Sequence, residues 1–388
     1  AQPLPAMTPP AEDALGRYRH SHALFARAAA VMPCGIYGHT SPAAHLPGRS
    51  PYFAARAEGP YYWDVDGNRY LDLVCGYGPV VLGHGHPEVE EAAARQRREG
   101  NCMNHPSERT VELAERLTGL VDFADWAVIA RNGSDVTTWA LQVAREATGR
   151  KKVLHIKGAY HGVDAWCSPG SGGVIEEDRA HIHTFPWNDL EAFRKLMREH
   201  AGQVAAVFVT PFPHPTFADM ELPQAGFLAG IQRACNEAGA VLVCDDIRAG
   251  FRLHAGGSHR LYGFEPDLAC YCKALGNGYP IAACAGRESL KLAASRVFLT
   301  GSYWNNAVPA AAALKTLEII GRDGVPAALR ARGEQLREGL EAIGTRHGLP
   351  LKVTGPPAAP YIRVAEDPDL RLTQAFCAAA IAQGLFLH

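Results

Sequence analysis

The spacing of hydrophobic positions changes several times along the chain, and each change marks an element. Residues 11–31 carry apolar side chains at helical spacing, and Pro33 with Gly35 supplies the stop. The Pro- and Ala-rich residues ahead of them read as a loose tail. The run YYWDVDGNRYLDL places aromatic and β-branched residues on both sides of Asp66-Gly67, a strong turn dipeptide, and predicts a hairpin. Beyond it the two periods alternate. Helices are expected over about 88–100, 107–120, 134–148 and 223–238, and strands over 126–130, 152–156, 204–210, 240–245, 268–271 and 281–285. Short apolar strands interleaved with helices predict an α/β fold with a mostly parallel sheet covered on both faces. From about 308 the amphipathic run VPAAAALKTLEII is expected to lead away into a separate C-terminal part.

Ligands of open α/β sheets bind at the carboxyl ends of strands, and several of the expected strand ends carry chemistry. The strand 126–130 runs into Arg131-Asn132-Gly133-Ser134 directly before a helix. Unpaired amides and the helix dipole make such a start an anion site, although Ser134 alone reads equally well as an N-cap. AVLVCDDI ends in Asp245 and Asp246. Strand alternation puts Asp245 and Ile247 on one face and Asp246 and Arg248 on the other. Asp245 then suits a cationic ring nitrogen with Ile247 packed under the ring, and Asp246 suits a neighbouring cation; capping the next helix is the ordinary alternative. DLACYC delivers Lys273 into the glycine-containing turn LGNGYP. An ammonium among apolar residues has a depressed pKa, which suits an amine that attacks a carbonyl. In Tyr160-His161-Gly162, Tyr160 offers a ring for stacking on a planar cofactor. His84 and His86 lack a third ligand at metal spacing and read as a turn into the helix at 88.

Composition narrows the class. The chain has 388 residues, 47% of them hydrophobic, enough for two or three domains. With 38 Lys+Arg against 40 Asp+Glu, no strong field favours nucleic acid or an anionic membrane, and a small-molecule ligand is expected. The chain carries neither an apolar run of about 18 residues nor an N-terminal cleavage pattern, and a soluble cytoplasmic protein is expected. Its ten cysteines, with only Cys270 and Cys272 close together, read as buried free thiols.

Taken together, these motifs resemble class III pyridoxal 5'-phosphate (PLP)-dependent aminotransferases of fold type I, most closely the glutamate-1-semialdehyde 2,1-aminomutase branch. The likeness runs from about residue 30 to the C-terminus through GPYYWDVDGNRYLDL, GYGPVVLGHGHP, RNGSDVTTWALQVAR, HIKGAYHG, VCDDIRAGFR, PDLACYCKALGNGYPIAACAGR and FLTGSYWNN. The resemblance implies a large domain with a seven-stranded-type sheet (74–307) and a small α+β domain built from the N-terminal segment (1–73) and the C-terminal one (308–388). It implies that Lys273 holds PLP as a Schiff base and shuttles a proton, and that Asp245 keeps the ring nitrogen protonated. Gly133 and Ser134 would bind the phosphate, Tyr160 would stack on the ring, Ile247 would pack on its other face, and His161 would stand behind it. Ser302 occupies the place of a family threonine that contacts the phosphate from the partner subunit, which implies a homodimer with shared active sites.

Three departures are visible. Asp245-Asp246-Ile247 replaces the usual Asp-Glu-Val, Tyr77 replaces a Trp common in the aminomutase branch, and GLFLH ends where relatives continue, so the C-terminal domain reads as incomplete. Tyr37, Tyr77, Tyr303 and Trp304 suggest an aromatic-walled substrate pocket. The expected reaction is ping-pong amino transfer between an amine or amino acid and a carbonyl compound; an intramolecular aminomutase or a racemase is the alternative within the fold. A PLP-sensing regulatory module is the alternative outside enzymes, and the chain has no room for a basic DNA-binding domain before residue 30.

Overall fold

The computed structural model describes residues 16–36, 41–213 and 218–387. Helix α1 (Arg19–Val31) is followed by strands β1 (Ala54–Glu58), β2 (Tyr61–Asp64) and β3 (Arg69–Asp72). The expected hairpin is β2–β3. Its turn is built on Asp64, whose Oδ1 accepts from the amides of Asp66 and Asn68, while Gly67 takes φ +87°, which favours glycine. Helices α2 (Pro87–Glu99) and α3 (Glu108–Leu120) lead into the main sheet. On α3, Leu113 and Leu117 stand one turn apart and are both fully buried, each stabilising by about 1.5–3 kcal/mol.

The main sheet contains β4 (Trp126–Ala130), β5 (Lys152–Ile156), β6 (Ile182–Phe185), β7 (Val204–Val209), β8 (Val241–Asp245), β9 (Leu268–Tyr271) and β10 (Ala282–Gly286), in the order β4-β10-β9-β8-β7-β5-β6. All pairings are parallel except those of β10, which runs antiparallel to both β4 and β9. Every residue of β7, β8, β9 and β10 is buried, which is why they read as unbroken apolar runs. The carboxyl ends of β4, β5, β8 and β9 therefore lie along one edge. Helix α4 (Gly133–Thr148) follows β4 and opens with a capping box between Asn132 and Asp135. Helices α5 (Leu190–Glu199), α6 (Phe227–Ala238) and α7 (Glu288–Arg296) complete the layers.

Helix α8 (Ala307–Arg322) corrects the reading of 308 as a point of departure. Ala310, Ala313, Leu317 and Ile320 lie in the core cluster that holds Leu113 and Leu117, and Val308, Ala312 and Ile319 pack on Val89 and Ala93 of α2. Its apolar residues cover too much of the circumference for an outward-leading helix. The long α9 (Val325–His347), β11 (Leu351–Thr354), β12 (Tyr361–Val364) and α10 (Arg371–Ala382) follow. The last strand, β13 (Leu385–Phe386), pairs parallel with β3, and Phe386 joins Tyr62 and Tyr70 in an aromatic cluster. The two ends of the chain thus share one four-stranded sheet, β1-β2-β3-β13.

Candidate active site

Lys273 follows β9 after a single residue, Cys272. Its φ of +38° is a left-handed value that a non-glycine residue holds only when its surroundings fix it. Asn277, four residues on, supplies part of that fixing by accepting from the Leu82 amide at 2.8 Å and donating to the Gly83 carbonyl at 3.1 Å. The lysine stem runs past Gly78, where an added Cβ would stand 3.7 Å from its Cδ. Burial, then the neighbouring Arg248 guanidinium, pulls the amine down to about 8, partly opposed by Asp245.

Asp245 ends β8 and is buried. Its Oδ2 accepts from His161 Nδ1 at 2.8 Å, and its Oδ1 accepts from the Ile247 amide at 3.2 Å. A carboxylate only accepts, so the His161 hydrogen sits on Nδ1. The His161 ring is itself buried, parallel to the Trp166 ring within 7°, and its carbonyl accepts from Thr137 Oγ1 at 2.6 Å. The sequence places His161 behind the ring; the structure makes it the direct partner of Asp245.

The strand alternation assumed for 245–248 ends at Asp245, because the chain turns there and the Ile247 amide folds back onto the Asp245 carboxylate. Among the described residues Asp246 consequently has Ser258, and not a cation, as its hydrogen-bond partner. It accepts from Ser258 Oγ at 2.5 Å and from the Ser258 amide at 2.8 Å, and burial pushes its carboxyl up to about 6 against those two bonds. Ile247 remains at the site, packed on Gly133: a Cβ there would stand 2.6 Å from Ile247 Cδ1.

Gly133 and Ser134 open α4 with amides that have no intrahelical acceptor. The Ser134 Oγ accepts from the Val163 amide at 3.2 Å. Gly162, at φ +134°, lies so close that its Cβ would stand 2.6 Å from that oxygen. Tyr160 is half exposed, its phenol raised by burial and by Cys167 and Asp245. Ser302 and Tyr303 face outward on a turn, and Ser302 meets Cys102 through its carbonyl. Trp304 serves packing: its indole closes over Gly301, where a Cβ would stand 2.4 Å from Nε1, and its carbonyl accepts from Arg131. Tyr77 is half exposed in a left-handed turn, at φ +65°, next to Gly78. Tyr37 lies outside the described residues. His84 Nε2 donates to Asp72 Oδ2 at 2.8 Å. Of the cysteines, Cys34 and Cys102 are exposed and not buried as expected, since both lie in irregular segments.

A low-pKa lysine and a carboxylate clamped by an imidazole stand on the strand edge where α4 also begins, and this is the arrangement of a fold type I PLP site. The chain belongs to the class-III aminotransferases: residues 44–388 match the family model described as aminotransferase class-III. It is 46% identical to an aminopentol aminotransferase of Sphingopyxis macrogoltabida, over 93% of this chain and 86% of that protein. It is 34% identical to a glutamate-1-semialdehyde 2,1-aminomutase of Roseiflexus castenholzii, over 95% and 90% of the two chains. The solved PLP internal aldimine form of the Sphingopyxis sp. MTA144 FumI protein superposes with a TM-score of 0.94 at 45% identity, covering 95% of this chain and 89% of that one.

Class-III aminotransferases use PLP, and the residues here fit it. Glycines at 133 and 162 leave open the start of α4, where side chains would otherwise collide with Ile247 and Ser134. That start suits a phosphate. The buried carboxylate of Asp245 suits a protonated ring nitrogen, and the amine of Lys273, lowered by its burial, suits a carbonyl. Sequence reasoning missed the contact of His161 with Asp245 and the place of Arg248 near Lys273; the first needs the strand order β8-β7-β5, and the second needs the turn after Asp245.

Proposed function

We propose that this chain, as a class-III aminotransferase, carries out ping-pong amino transfer from an amine or amino acid to a carbonyl compound, with Lys273 and Asp245 as its catalytic residues. The observation that carries the reading is the delivery of a low-pKa Lys273 beside an Asp245 fixed by His161. When bound, PLP supplies an electron sink that lets the carbon bearing the amine give up its proton.

The residues do the rest. With its pKa drawn down to about 8, the Lys273 amine is neutral in roughly half of the molecules at pH 8, so it would hold the cofactor through the cofactor's carbonyl and would take and return the substrate proton. Asp245, held by His161 and the Ile247 amide, keeps a negative charge at the ring nitrogen. Gly133 and Ser134 receive the phosphate, Ile247 supports one ring face and Tyr160 covers the other. Tyr77 lines the substrate side beside Lys273.

In this reading the protein is a cytoplasmic homodimer, and the outward-facing Ser302 completes the phosphate site of the partner subunit. Among the described residues no helix is long and apolar enough to cross a membrane. A domain division at 73 belongs to the same reading, with the second boundary moved beyond α8 and the shared sheet β1-β2-β3-β13 joining the two terminal segments. The test is a half-reaction. An amine donor added without acceptor should bleach the visible absorbance of the PLP-loaded protein and release one carbonyl product per site, and a carbonyl acceptor should restore the absorbance. Isomerised product with no acceptor needed would instead support the aminomutase, and no response to any donor would contradict amino transfer.

A further inference from the structure

Arg131 joins three segments that serve the site. It follows β4 at the end of the main sheet and precedes Gly133, the first residue of α4, by two positions. Asp135 fixes that stretch: its Oδ2 accepts from the Arg131 amide at 3.2 Å and from the Asn132 amide at 3.0 Å. The guanidinium holds other parts of the chain. Its Nη1 donates at 3.0 Å to the carbonyl of Pro280, in the turn after Lys273, and its Nη2 donates to the Trp304 carbonyl. One side chain thus ties the start of α4 and the turn after Lys273 to the turn that carries Ser302.

The Ser302 turn has weaker anchors elsewhere. Within it the Trp304 amide donates to the Gly301 carbonyl at 3.0 Å. The Ser302 carbonyl accepts from the Cys102 thiol at 3.5 Å, and a thiol is a weak donor. Asn101 secures the element that follows: its carbonyl and Oδ1 accept from the amides of Ala307 and Val308, at 3.0 and 3.1 Å, where α8 begins. On the other side Phe298 is 85% exposed, and Ser302, Tyr303 and Asn305 face outward. A hydrogen bond from a guanidinium is about twice as strong as one between neutral groups. Among the described residues, Arg131 supplies the charged one to this turn. A hydroxyl on an exposed turn binds well when the turn is already in place, because the cost of ordering it otherwise falls on the binding step.

We propose that Arg131 is a positioning residue for the partner subunit's site: anchored beside the start of α4 in its own subunit, its guanidinium holds the turn on which Ser302 faces outward. This rests on the proposed dimer, in which Ser302 completes the partner's phosphate site.

The test reads PLP binding at one site of a hybrid dimer, without turnover. Subunits with different affinity tags are co-expressed, and one of them carries Lys273→Ala, so that borohydride can fix the pyridoxyl group on Lys273 of the other subunit alone. Labelling of that lysine is followed against PLP concentration. Arg131→Met placed in the Lys273→Ala subunit should weaken binding at the intact site by roughly 10- to 150-fold, the range of one hydrogen bond to a charged group. Placed in the subunit that keeps Lys273, the same change should leave binding within about twofold. Arg131→Lys in the first arrangement should recover part of the loss, since an ammonium still donates to one carbonyl. Added to Ser302→Ala in the same subunit, Arg131→Met should bring no further loss, because the two changes remove one interaction. A loss that follows the Lys273-bearing subunit overturns the proposal and assigns the guanidinium to the phosphate of its own subunit. Equal loss in both arrangements, or loss in neither, overturns it as well. A monomeric wild type, or a Ser302→Ala dimer that binds PLP as tightly as the wild type, overturns the dimer reading and the proposal with it, so the two failures remain distinguishable.

Discussion

Removing the imidazole of His161 should weaken PLP binding far more than the loss of one surface contact would. Its Nδ1 donates to Asp245 Oδ2 at 2.8 Å, and the side chains of donor and acceptor are 0% and 6% exposed, so water cannot replace the bond. Without it the Asp245 carboxylate keeps the Ile247 amide at 3.2 Å as its one recorded donor. A buried carboxylate with fewer donors takes up a proton more readily, and its charge is then lost to the cofactor's ring nitrogen. A sealed hydrogen bond to a charged group contributes about 2–3 kcal/mol, which is roughly a 30- to 150-fold loss of PLP affinity in His161→Ala. Asparagine carries an N–H at nearly the position of Nδ1, so His161→Asn should recover much of that loss. Fluorescence titration of each apoprotein with PLP gives the affinity, and thermal melts of the same apoproteins report packing separately. If His161→Ala binds PLP as tightly as the wild type while only its melting temperature falls, the imidazole is a packing residue and the reasoning fails.

Three further expectations concern Lys273 and Ser302. Capture of PLP by the apoprotein, followed by stopped-flow absorbance, should accelerate with pH and level off near 8, because the attacking amine is the neutral form and its pKa is lowered to about 8; acceleration continuing to about 10.5 would contradict this. The native lysine releases its proton more readily than the unfolded one, so apoprotein stability should rise with pH between those two values, and Lys273→Met should flatten that slope in denaturant titrations. Ser302→Ala should lower PLP retention by about 1.5–3 kcal/mol in the dimer, read by equilibrium dialysis at protein concentrations where sedimentation shows two subunits. A monomer that holds PLP at full strength would refute the shared site.

The sequence displayed the main sheet well because its central strands are buried on both faces, and a run such as VAAVFV needs no context to be read. The edge strand β6 escaped: Ile182–Phe185 includes His183 and Thr184, and a strand with a neighbour on one side only needs no continuous apolar run. Helix α9 escaped for a related reason. Of its residues only Gly333 and Gly344 are buried, both against backbone carbonyls, so no apolar stripe marks it. The reversal of β10 was equally invisible, since a short apolar run has no direction. At the site, Lys273, Asp245, Gly133 and Ser134 were legible because each stands at the end of a readable strand or the start of a readable helix. His161 and Asp245 lie 84 positions apart and meet through the arrangement of β5, β7 and β8. Arg248 was assigned by an alternation that stops three residues before it.

The central assignment is that Lys273 is the residue that holds the cofactor, and one measurement tests it most directly. Borohydride reduction of the PLP-loaded protein fixes the pyridoxyl group on whichever lysine carries it, and peptide mapping by mass spectrometry then locates it. Lys291 is the internal control, because it lies on α7 in a surface pair with Glu288 at 3.0 Å and should remain unlabelled. The account predicts the label on Lys273 alone; a label on Lys291 or on any other lysine, or its absence from the peptide containing Lys273, would contradict it.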